Sequence, residues 1–528
     1  MSMQFVLPQM STPVQRAGVA CGEAAVDPAS EETNGPRRGN EHTGSALLHA
    51  ALTRENLQAA LRRVRANKGA AGVDGLDIAQ TAHYLVSAWP GIREQLLAGT
   101  YRPSPVRRVM IPKSDGSQRE LGIPTVTDRL IQQALLQVLQ PILDPTFSEH
   151  SYGFRPGRRA HEAVLAAQSY VQAGRRTVVD VDLEKFFDRV NHDILIDRLQ
   201  KRIPDAGVIR LIRAYLNSGI MDGGVVIERH EGTPQGGPLW PLLANVLLDE
   251  VDKELERRGH CFVRYADDCN VYVRSRRTGE RVMNLLRKLY ARLRLKVNET
   301  KSAVASVFTG RKFLGYSFWV APKGVVKRRV SAKAVATFKQ RVRALTRCSG
   351  GRSMQQVVER LRAYLLGWKG YFGLAQSKSL WRTLDEWIRH RLRAIQLMQW
   401  KRGKTMFREL RVLGVRFAVA RSVAANSRRW WSNSGHALNA ALPVAHFDRL
   451  GVPRGSLNLN FSNRPVRTRM PGGVAGAQFI RTAPYADGHL TGDKPAGCAL
   501  TIKALLEQFI DLCRVGFAFG QFHDLSNQ

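Results

Sequence analysis

The sequence is poor in cysteine and lacks any long apolar run. Its six cysteines, among 528 residues, form no CxxC pair and have no histidine at the spacing of a zinc site. We therefore expect neither a structural zinc nor a disulfide framework. No stretch approaches the length of apolar chain that a membrane-spanning helix needs, and the N-terminal MSMQFVLPQMSTPVQR lacks the pattern of a signal peptide. The expectation is a cytoplasmic protein with no membrane partner.

Acidic residues are scarce relative to basic ones. Lys and Arg number 80 against 44 Asp and Glu, which gives a formal net charge of +36. Charge of one sign repels itself and lowers stability unless a polyanion offsets it. The composition therefore favours a nucleic-acid partner over the alternative of a highly charged surface with no such role. The length, with 44% hydrophobic residues, predicts two or three domains.

Apolar periodicity is missing near both ends of the chain. Residues 1–45 are rich in Gly, Pro, Glu, Ser and Thr, so we expect a disordered leader there. Residues 456–528 are rich in Gly, Asn, Pro and Arg, with one short helical pattern near the end. Their composition assigns no role to this tail.

Helical periodicity dominates two regions. Apolar residues recur at helical intervals from Leu47 to Val64, with Thr53 placed as an N-cap, and a glycine-rich loop follows. After about residue 325 the β signal fades and long basic helical segments take over. We expect a separate all-helical domain there, with one apolar face and an opposite face rich in Arg and Lys.

Strand patterns lie between these two regions. The stretch RRVMIPKSDGSQRELGIP predicts a hairpin whose exposed face is basic and carries Arg107, Arg108, Lys113 and Arg119. TVVDVDLEKFFDRV predicts a strand that runs into a helix or turn, and CFVRYADDCNVYV predicts two strands about a tight acidic turn. With helical patterns between them, the fold class is α+β.

Three aspartates are candidates for a two-metal site. Nucleotidyl transfer uses two Mg²⁺ ions about 3.5 to 4 Å apart that hold the attacking and leaving oxygens. Mg²⁺ prefers a few rigidly held carboxylate oxygens. Asp267 and Asp268 would stand at a hairpin tip, and Asp182, at the end of an apolar strand, can complete the set. Two Mg²⁺ ions, with Mn²⁺ as a substitute, are the predicted cofactors.

A Y-x-D-D string also arises by chance in long chains, so the YADD turn alone is weak support. Further motifs in a fixed order strengthen the support from the YADD turn. These motifs, in chain order and with the turn among them, are DLEKFFD, EGTPQGGPL, RYADD, KVNETKS and RKFLGYSF. With LGIPTVTDRLIQQALLQVLQPILDPTFSEHSYGFRPGRRAHEAV, these blocks resemble the bacterial group II intron-encoded reverse transcriptases and maturases that have no HNH endonuclease domain. The resemblance covers roughly residues 46 to 455.

The resemblance implies a right-hand polymerase fold. Fingers and palm with an antiparallel sheet would span residues 46–325, and an all-helical basic thumb and maturase domain would span residues 326–455. The implied catalytic and metal-binding residues are Asp182, Asp267 and Asp268. The implied partners are group II intron RNA, a DNA primer or target and deoxynucleoside triphosphates, in a ribonucleoprotein that associates with the nucleoid during insertion.

The resemblance also assigns nucleotide-binding roles. Phe187 matches an aromatic that excludes a ribose 2′-hydroxyl, although a core aromatic is the alternative, and Gln235 matches a residue beside the incoming nucleotide. Lys113 and Arg119 would fold over the triphosphate and Lys301 would lie near the leaving pyrophosphate, unless each is an ordinary solvated charge. In the maturase part, the predicted RNA-binding residues are Arg389, Arg391, Arg393, Lys401, Arg402 and Lys404, whereas Trp368, Tyr371, Trp381 and Trp387 are better interpreted as core.

One departure from the family pattern concerns Trp240. Family members read QGGPLSPLLAN where this chain reads QGGPLWPLLAN, so an indole replaces a small serine beside the nucleotide loop. We expect crowding of the palm or lower activity. The leading hypothesis is an RNA-directed DNA polymerase that also assists splicing of its intron and copies it during intron mobility. The alternatives are a maturase with weak or lost polymerase activity and a reverse transcriptase domesticated for phage defence.

Overall fold

The structure is a computed structural model that describes residues 45–112, 118–227, 231–233, 236–347, 351–439 and 441–456. Apart from Ser45 and Ser456, the predicted leader and tail lie outside the described residues. Within these ranges, helices surround three sheets, which confirms the predicted α+β class. None of the described helices is long and apolar enough to cross a membrane.

The described elements are numbered here in chain order. The helices are α1 (Ala46–Ala51), α2 (Arg54–Asn67), α3 (Ile78–Ala98), α4 (Val126–Leu143), α5 (Ala160–Gln172), α6 (His192–Gln200), α7 (Ala206–Leu216), α8 (Trp240–Arg257), α9 (Arg276–Arg292), α10 (Ala332–Leu345), α11 (Met354–Phe372), α12 (Lys378–Trp400), α13 (Gly403–Val412), α14 (Phe417–Ala425), α15 (Trp430–Asn433), α16 (His436–Asn439) and α17 (Val444–Arg449). The strands are β1 (Val106–Pro112), β2 (Gln118–Ile123), β3 (Thr177–Val181), β4 (Ile220–Asp222), β5 (Val225–Ile227), β6 (Cys261–Tyr265), β7 (Asp268–Val273), β8 (Ala303–Ser306), β9 (Tyr316–Val320) and β10 (Val326–Val330).

The predicted N-terminal helical region is present as α1 and α2. Thr53 stands at the N-cap position of α2, but its hydroxyl donates to the Ala50 carbonyl (3.0 Å) and does not cap the helix. The α2 helix ends at Lys68, which adopts the left-handed conformation, and the predicted glycine-rich loop leads to α3. Asp77 and Gln80 form a capping box at the start of α3.

The predicted basic hairpin is confirmed as β1 and β2. The two strands are antiparallel, with Pro112 opposite Gln118, and β4 adds to β1 in parallel to give the order β2-β1-β4-β5. The basic face is partly neutralised, because Arg108 forms ion pairs with Glu120 and Asp222.

The central sheet has the order β6-β7-β3-β8, and every pair in it is antiparallel. Side chains alternate between its two faces. Val179 and Val181 pack into a core that includes residues of α8 and α9, whereas Val178 and Tyr272 pack into a second core shared with α5 and the C-terminal helices. The sheet is therefore covered on both faces, and only its strand ends are available for a site.

The hairpin of β9 and β10 precedes the helical part. The predicted boundary between residues 325 and 326 falls inside this hairpin, because β10 begins at Val326. The strand VKRRV was not predicted from the sequence, because three of its five residues are basic and the alternation of apolar residues is not visible. The helical part begins with α10 at Ala332.

The helical part encloses an aromatic core. Trp368 lies 4.3 Å from Phe338 and 5.1 Å from Trp381, measured between ring centroids. Trp368 and Trp381 are buried, which confirms their interpretation as core residues. Tyr371 and Trp387 pack at the edge of the same core and are only partly buried.

Candidate active site

Asp267 and Asp268 lie at the turn between β6 and β7. Tyr265 pairs with Asp268, so Ala266 and Asp267 form a two-residue turn, as predicted. Ala266 adopts the left-handed conformation (φ 59°), which costs an L-residue about 1–2 kcal/mol. Neighbouring groups must therefore hold the backbone that presents the two acids.

Arg264 supplies one such contact. Its side chain is fully buried, and Nη1 donates to the Ala266 carbonyl (2.9 Å) and to Asn245 Oδ1 (2.9 Å). Nε and Nη2 donate to the carboxylate of Asp252 at 2.6–2.9 Å. Asp252 lies on α8 and neutralises the buried charge. One guanidinium thus ties the turn that carries Asp267 and Asp268 to α8.

The segment around Gly153 packs against the same turn. Asn245 Nδ2 donates to the Gly153 carbonyl (2.9 Å), and a Cβ added at Gly153 would lie 2.2 Å from the Ala266 nitrogen. Glycine is therefore required for this close approach. The sequence reading did not assign roles to Arg264, Asn245, Asp252 or Gly153, although all lie in or beside blocks that carried the family resemblance.

Asp182 follows directly after β3. Its backbone N–H donates to Ser302 Oγ (3.0 Å), and its carbonyl accepts from the Asn298 N–H (2.8 Å). Val181 pairs with Cys269, so Asp182 and Asp268 stand at the same end of adjacent strands. Lys301 Nζ lies 3.5 Å from Asp182 Oδ2, which places this predicted residue beside one of the three acids.

The acids at this sheet end influence one another. Loss of solvation raises the pKa of Asp268 to about 7, and repulsion from Asp267, Asp182 and Asp180 adds to the rise. The residue still reaches solvent, so its carboxyl group sits in an accessible but poorly hydrated position. Lys312 opposes the shift. The site therefore has a local excess of negative charge on a strongly basic chain.

Asp180 is a further acid near the site, and no role was predicted for it from the sequence. Burial raises its pKa, and Arg311, whose Nη1 lies 3.2 Å from Asp180 Oδ2, acts in the opposite direction. This ion pair links β3 to the RKFLGYSF block. Asp180 is thus held in an ion pair with Arg311.

The donor chemistry of these acids fits a hard divalent cation. Carboxylate oxygens are the ligands that Mg²⁺ prefers, and a cation would relieve the repulsion that raises the pKa of Asp268. Among the described residues, no group of three or more His, Cys, Asp or Glu side chains is already gathered as a metal-binding cluster. The acids therefore share one sheet end without forming a closed cage.

Phe187 lies in a short 3₁₀ segment after Asp182. Its ring packs edge-on against Phe186 (4.9 Å between centroids), and its carbonyl accepts from the Thr233 N–H (2.6 Å). Thr233 belongs to the EGTPQGGPL block, so Phe187 is joined to the predicted nucleotide loop. Phe187 is only partly buried, which leaves part of the ring exposed.

The nucleotide loop also contacts the basic hairpin. A Cβ added at Gly236, where φ is 148°, would lie 2.2 Å from the Gly122 carbonyl at the end of β2. Lys113 and Gln235 lie outside the described residues, and of Arg119 only the backbone, opposite Ile111 in the hairpin, is described. The hairpin thus contacts the loop that is hydrogen-bonded to Phe187.

Trp240 begins α8 and is buried (2% exposed) as part of the core. Gly237 packs closely against this indole and against Gln132. A Cβ added at Gly237 would lie 2.6 Å from Trp240 Nε1 and 2.2 Å from Gln132 Oε1. Neither polar atom has a hydrogen-bond partner in the described part of the chain. The indole is thus accommodated in the core against the loop.

The structure corrects the predicted RNA-binding face at two positions. Arg389 is 1% exposed, and its guanidinium lies between Asp385 and Asp448, with N···O distances of 3.4 and 3.1 Å. Arg393 is also buried and donates to the Leu442 carbonyl (3.0 Å). The prediction of RNA contact is wrong for these two arginines because the segment after α16 covers that face of α12.

The other four predicted RNA-binding residues are more accessible. Arg391 is partly buried and donates to Thr346 Oγ1 (2.6 Å). Lys401, Arg402 and Lys404, which follow α12, are exposed. Their contact with RNA stays a prediction.

Two known families match consecutive parts of the chain. The family described as reverse transcriptase (RNA-dependent DNA polymerase) matches residues 111–318, and the group II intron, maturase-specific domain matches residues 335–414. The two spans together cover just over half of the chain. An antiparallel sheet with three aspartates at neighbouring strand ends, in a chain that matches the first family, is the palm of a reverse transcriptase. With the match to the maturase-specific domain following it, the chain carries the two parts expected of the group II intron-encoded reverse transcriptases and maturases, which confirms the resemblance seen in the sequence.

Individual relatives match parts of the chain. Protein YkfC of Escherichia coli (strain K12) is 38% identical over 40% of this chain and 57% of its own length. Group II intron-encoded protein LtrA of Lactococcus lactis subsp. cremoris is 30% identical over 45% of this chain and 50% of its own length. The chain thus spans about half the length of the curated relatives it matches. A solved partial Cas6-RT-Cas1–Cas2 complex aligns with 47% of this chain and 43% of that chain at 25% identity, with a TM-score of 0.32 that supports no inference.

Proposed function

We propose that the protein is an RNA-directed DNA polymerase that also acts as a maturase for a group II intron. The polymerase proposal rests above all on the meeting of Asp182, Asp267 and Asp268 at one end of the central sheet. The cation of Lys301, 3.5 Å from Asp182, adds a group suited to a triphosphate substrate. The maturase proposal rests on the match of residues 335–414 to the maturase-specific domain.

The proposed reaction joins a deoxynucleotide to a primer. The primer 3′-hydroxyl attacks the α-phosphorus of the incoming triphosphate, the α–β phosphoanhydride bond breaks, and pyrophosphate leaves. Asp182, Asp267 and Asp268 would hold two Mg²⁺ ions, for which Mn²⁺ can substitute, and these ions lower the energy of the charged transition state. Lys301 would stabilise negative charge on the leaving pyrophosphate. The buried Arg264 keeps the two turn aspartates in place.

Substrate selection falls to the region where the hairpin meets the nucleotide loop. Lys113 and Arg119 would contact the triphosphate, and Gln235 would lie along the incoming nucleotide. Phe187 would exclude a ribose 2′-hydroxyl. This exclusion requires its aromatic ring to lie close to the sugar of the incoming nucleotide. The support for this arrangement is the pairing of Phe187 with Thr233 and the close approach of Gly236 to Gly122.

The helical part would bind the intron RNA. Residues 46–325 would form fingers and palm, and residues 326–455 the thumb and maturase domain. Lys401, Arg402 and Lys404 are exposed and would contact phosphates, which dominate protein affinity for structured RNA. The protein would then work in a cytoplasmic ribonucleoprotein and reach a DNA target at the nucleoid, where it copies the intron.

Primer extension on an RNA template with deoxynucleoside triphosphates and Mg²⁺ tests the polymerase proposal. We expect extension by the wild type and its loss in Asp267→Asn, which keeps the size of the side chain but removes the charge. RNA binding by the same variant should persist, which separates a lost site from a lost fold. A wild type that binds RNA but extends no primer would favour the alternative of a maturase with lost polymerase activity, and Trp240→Ser should then be tried.

A splicing assay tests the maturase proposal separately. The substrate is the intron RNA transcribed from the DNA that flanks the gene, at a Mg²⁺ concentration too low for self-splicing. We expect the wild type and Asp267→Asn to accelerate splicing equally. The triple variant Lys401→Ala, Arg402→Ala, Lys404→Ala should be slower. Equal splicing with and without the wild-type protein would refute the proposal.

A further inference from the structure

Two tryptophans of the helical part face solvent. Trp430 and Trp431 form the first turn of α15 and are 37% and 50% exposed. Large aromatic side chains are usually buried in soluble proteins, and their exposure at one place is typical of a binding surface. Neither residue was assigned a role by the sequence reading, and both lie beyond the match to the maturase-specific domain.

Trp431 is held in a defined orientation. The imidazole of His390 stacks on its indole with 4.0 Å between centroids and an angle of 14° between the planes. His390 Nε2 also forms a hydrogen bond with the Trp431 carbonyl (2.9 Å), and Ser434 Oγ donates to the same carbonyl (2.7 Å). One face of the indole is therefore covered. Half of Trp431 is nevertheless exposed, so part of the indole is accessible to a planar ligand.

Cations flank the ring. The Arg391 guanidinium lies 6.0 Å from the centroid of Trp431 and 5.5 Å from that of Trp387. Arg343 and Lys339 lie 5.7 and 5.9 Å from the same Trp387 ring. Arg391 is held by Thr346, so its position does not depend on a ligand. The open indole thus lies at the end of a row of positive charge.

The surrounding chain adds further charge of the same sign. Between Ile388 and Asn433 there are twelve Lys and Arg residues, of which Arg389 and Arg393 are buried, and a single acid, Glu409. Such a surface attracts a polyanion and disfavours an apolar or basic protein partner. Phosphate contacts alone would not require an open aromatic face, whereas an unpaired base offers a planar ring to stack on it. A paired base is already stacked within its helix and has no free face to offer.

We propose that Trp431, backed by His390 and flanked by Arg391, is a stacking site for an unpaired RNA base. Trp430 widens the platform, and the cations of α10 and α12 bind the adjoining phosphates. The proposal rests on the proposed RNA-binding function. It adds that this site binds single-stranded segments of the RNA and not paired ones. It places base recognition at Trp431, to which sequence patterns assigned no role, beside the predicted RNA-binding residue Arg391.

Binding of two RNA probes by the full chain tests the proposal. One probe is a short unpaired oligoadenylate RNA, and the other is a paired RNA duplex of equal phosphate number. Trp431→Leu keeps an apolar side chain but has no aromatic face, so it should bind the unpaired probe roughly 5- to 150-fold more weakly, as for the loss of one stacked base. Trp431→Phe retains a ring and should bind it almost as the wild type does. All three proteins should bind the duplex equally.

The outcomes separate this site from the proposed function. If the wild type binds neither probe, the RNA-binding function itself fails and the stacking site fails with it. If the wild type binds both probes and Trp431→Leu matches it on the unpaired RNA, only the stacking site is refuted. A loss of equal size on both probes would also refute it, because it would indicate a lost phosphate contact or a disturbed fold. A dependence on Trp431 that appears with an oligoadenylate DNA and not with the RNA would overturn the assignment to RNA.

Discussion

Replacing Arg264 with lysine should disturb the catalytic turn more than the fold. Lysine keeps a positive charge opposite Asp252, so the buried ion pair is not simply removed, which would cost about 3–5 kcal/mol. It lacks the planar fork with which one guanidinium reaches Asp252, Asn245 and the Ala266 carbonyl together. We therefore expect the Ala266 carbonyl to lose its charged donor.

The size of the effect follows from the strain at Ala266. A hydrogen bond to a charged group contributes about 1.5–3 kcal/mol, and the left-handed conformation of Ala266 (φ 59°) costs about 1–2 kcal/mol. The lost bond is thus as large as the strain it offsets. The turn of Arg264→Lys should spend most of its time in other conformations, and kcat should fall roughly 10- to 150-fold.

The assay is single-nucleotide extension across a Mg²⁺ series at saturating triphosphate. In Arg264→Lys, kcat should fall and the Mg²⁺ concentration for half-maximal rate should rise, while the KM for the triphosphate stays close to that of the wild type. Arg389→Lys is the matched control, because Arg389 is equally buried and ion-paired but lies in the helical part. It should lower the melting temperature without changing the Mg²⁺ response. An Arg264→Lys protein with the wild-type kcat and Mg²⁺ response would refute the reasoning.

Three further predictions concern the same site. Lys301→Gln removes the ammonium 3.5 Å from Asp182 and should lower kcat roughly 10- to 100-fold, measured by rapid-quench incorporation, and an unchanged kcat would exclude a role in charge stabilisation. Phe187→Ala should raise the kcat/KM for ribonucleotides relative to deoxynucleotides of the same base, and a constant ratio would mean that the ring is only a core residue. The pKa of Asp268 is raised from 3.8 to about 7, so the metal-free folded protein binds more protons than the unfolded chain between these values, and its free energy of unfolding should fall as pH rises through that window. Mg²⁺ should therefore raise the melting temperature more above pH 7 than below it, whereas an equal gain on both sides would contradict the assignment.

Local patterns predicted three of the four central strands, because apolar residues predominate in them. CFVRYADDCNVYV forms β6 and β7, and TVVDVD forms β3. Their adjacency was predicted because a two-metal site needs Asp182 close to Asp267 and Asp268. The strand β10 was missed because its exposed positions are basic. Thr53 was placed correctly at an N-cap, but the direction of its hydroxyl depends on Ala50 in the preceding helix, which no cap pattern records.

The roles of individual arginines could not be predicted, since they depend on partners far away in sequence. Arg389 stands in a basic stretch and looks like a surface charge, and Arg264 stands in an apolar strand pattern that does not indicate its partner. The structure pairs Arg389 with Asp448, 59 positions away, and buries it. Arg264 is 12 positions from Asp252, on another element, and only the packing of α8 against the sheet brings the two together. Asp267 and Asp268 were easier to place because a hairpin tip gives them their position locally.

Burial of arginines does not weaken the inference from net charge. Each buried arginine that is paired with an acid removes one charge of either sign from the surface, so such pairs leave the net charge of +36 unchanged. That excess attracts any nucleic acid, and phosphate contacts carry no information about sequence or pairing. Discrimination among RNAs must then come from places where shape and stacking matter. The exposed indole of Trp431 is the proposed place, because an unpaired base can stack on it and a paired base cannot.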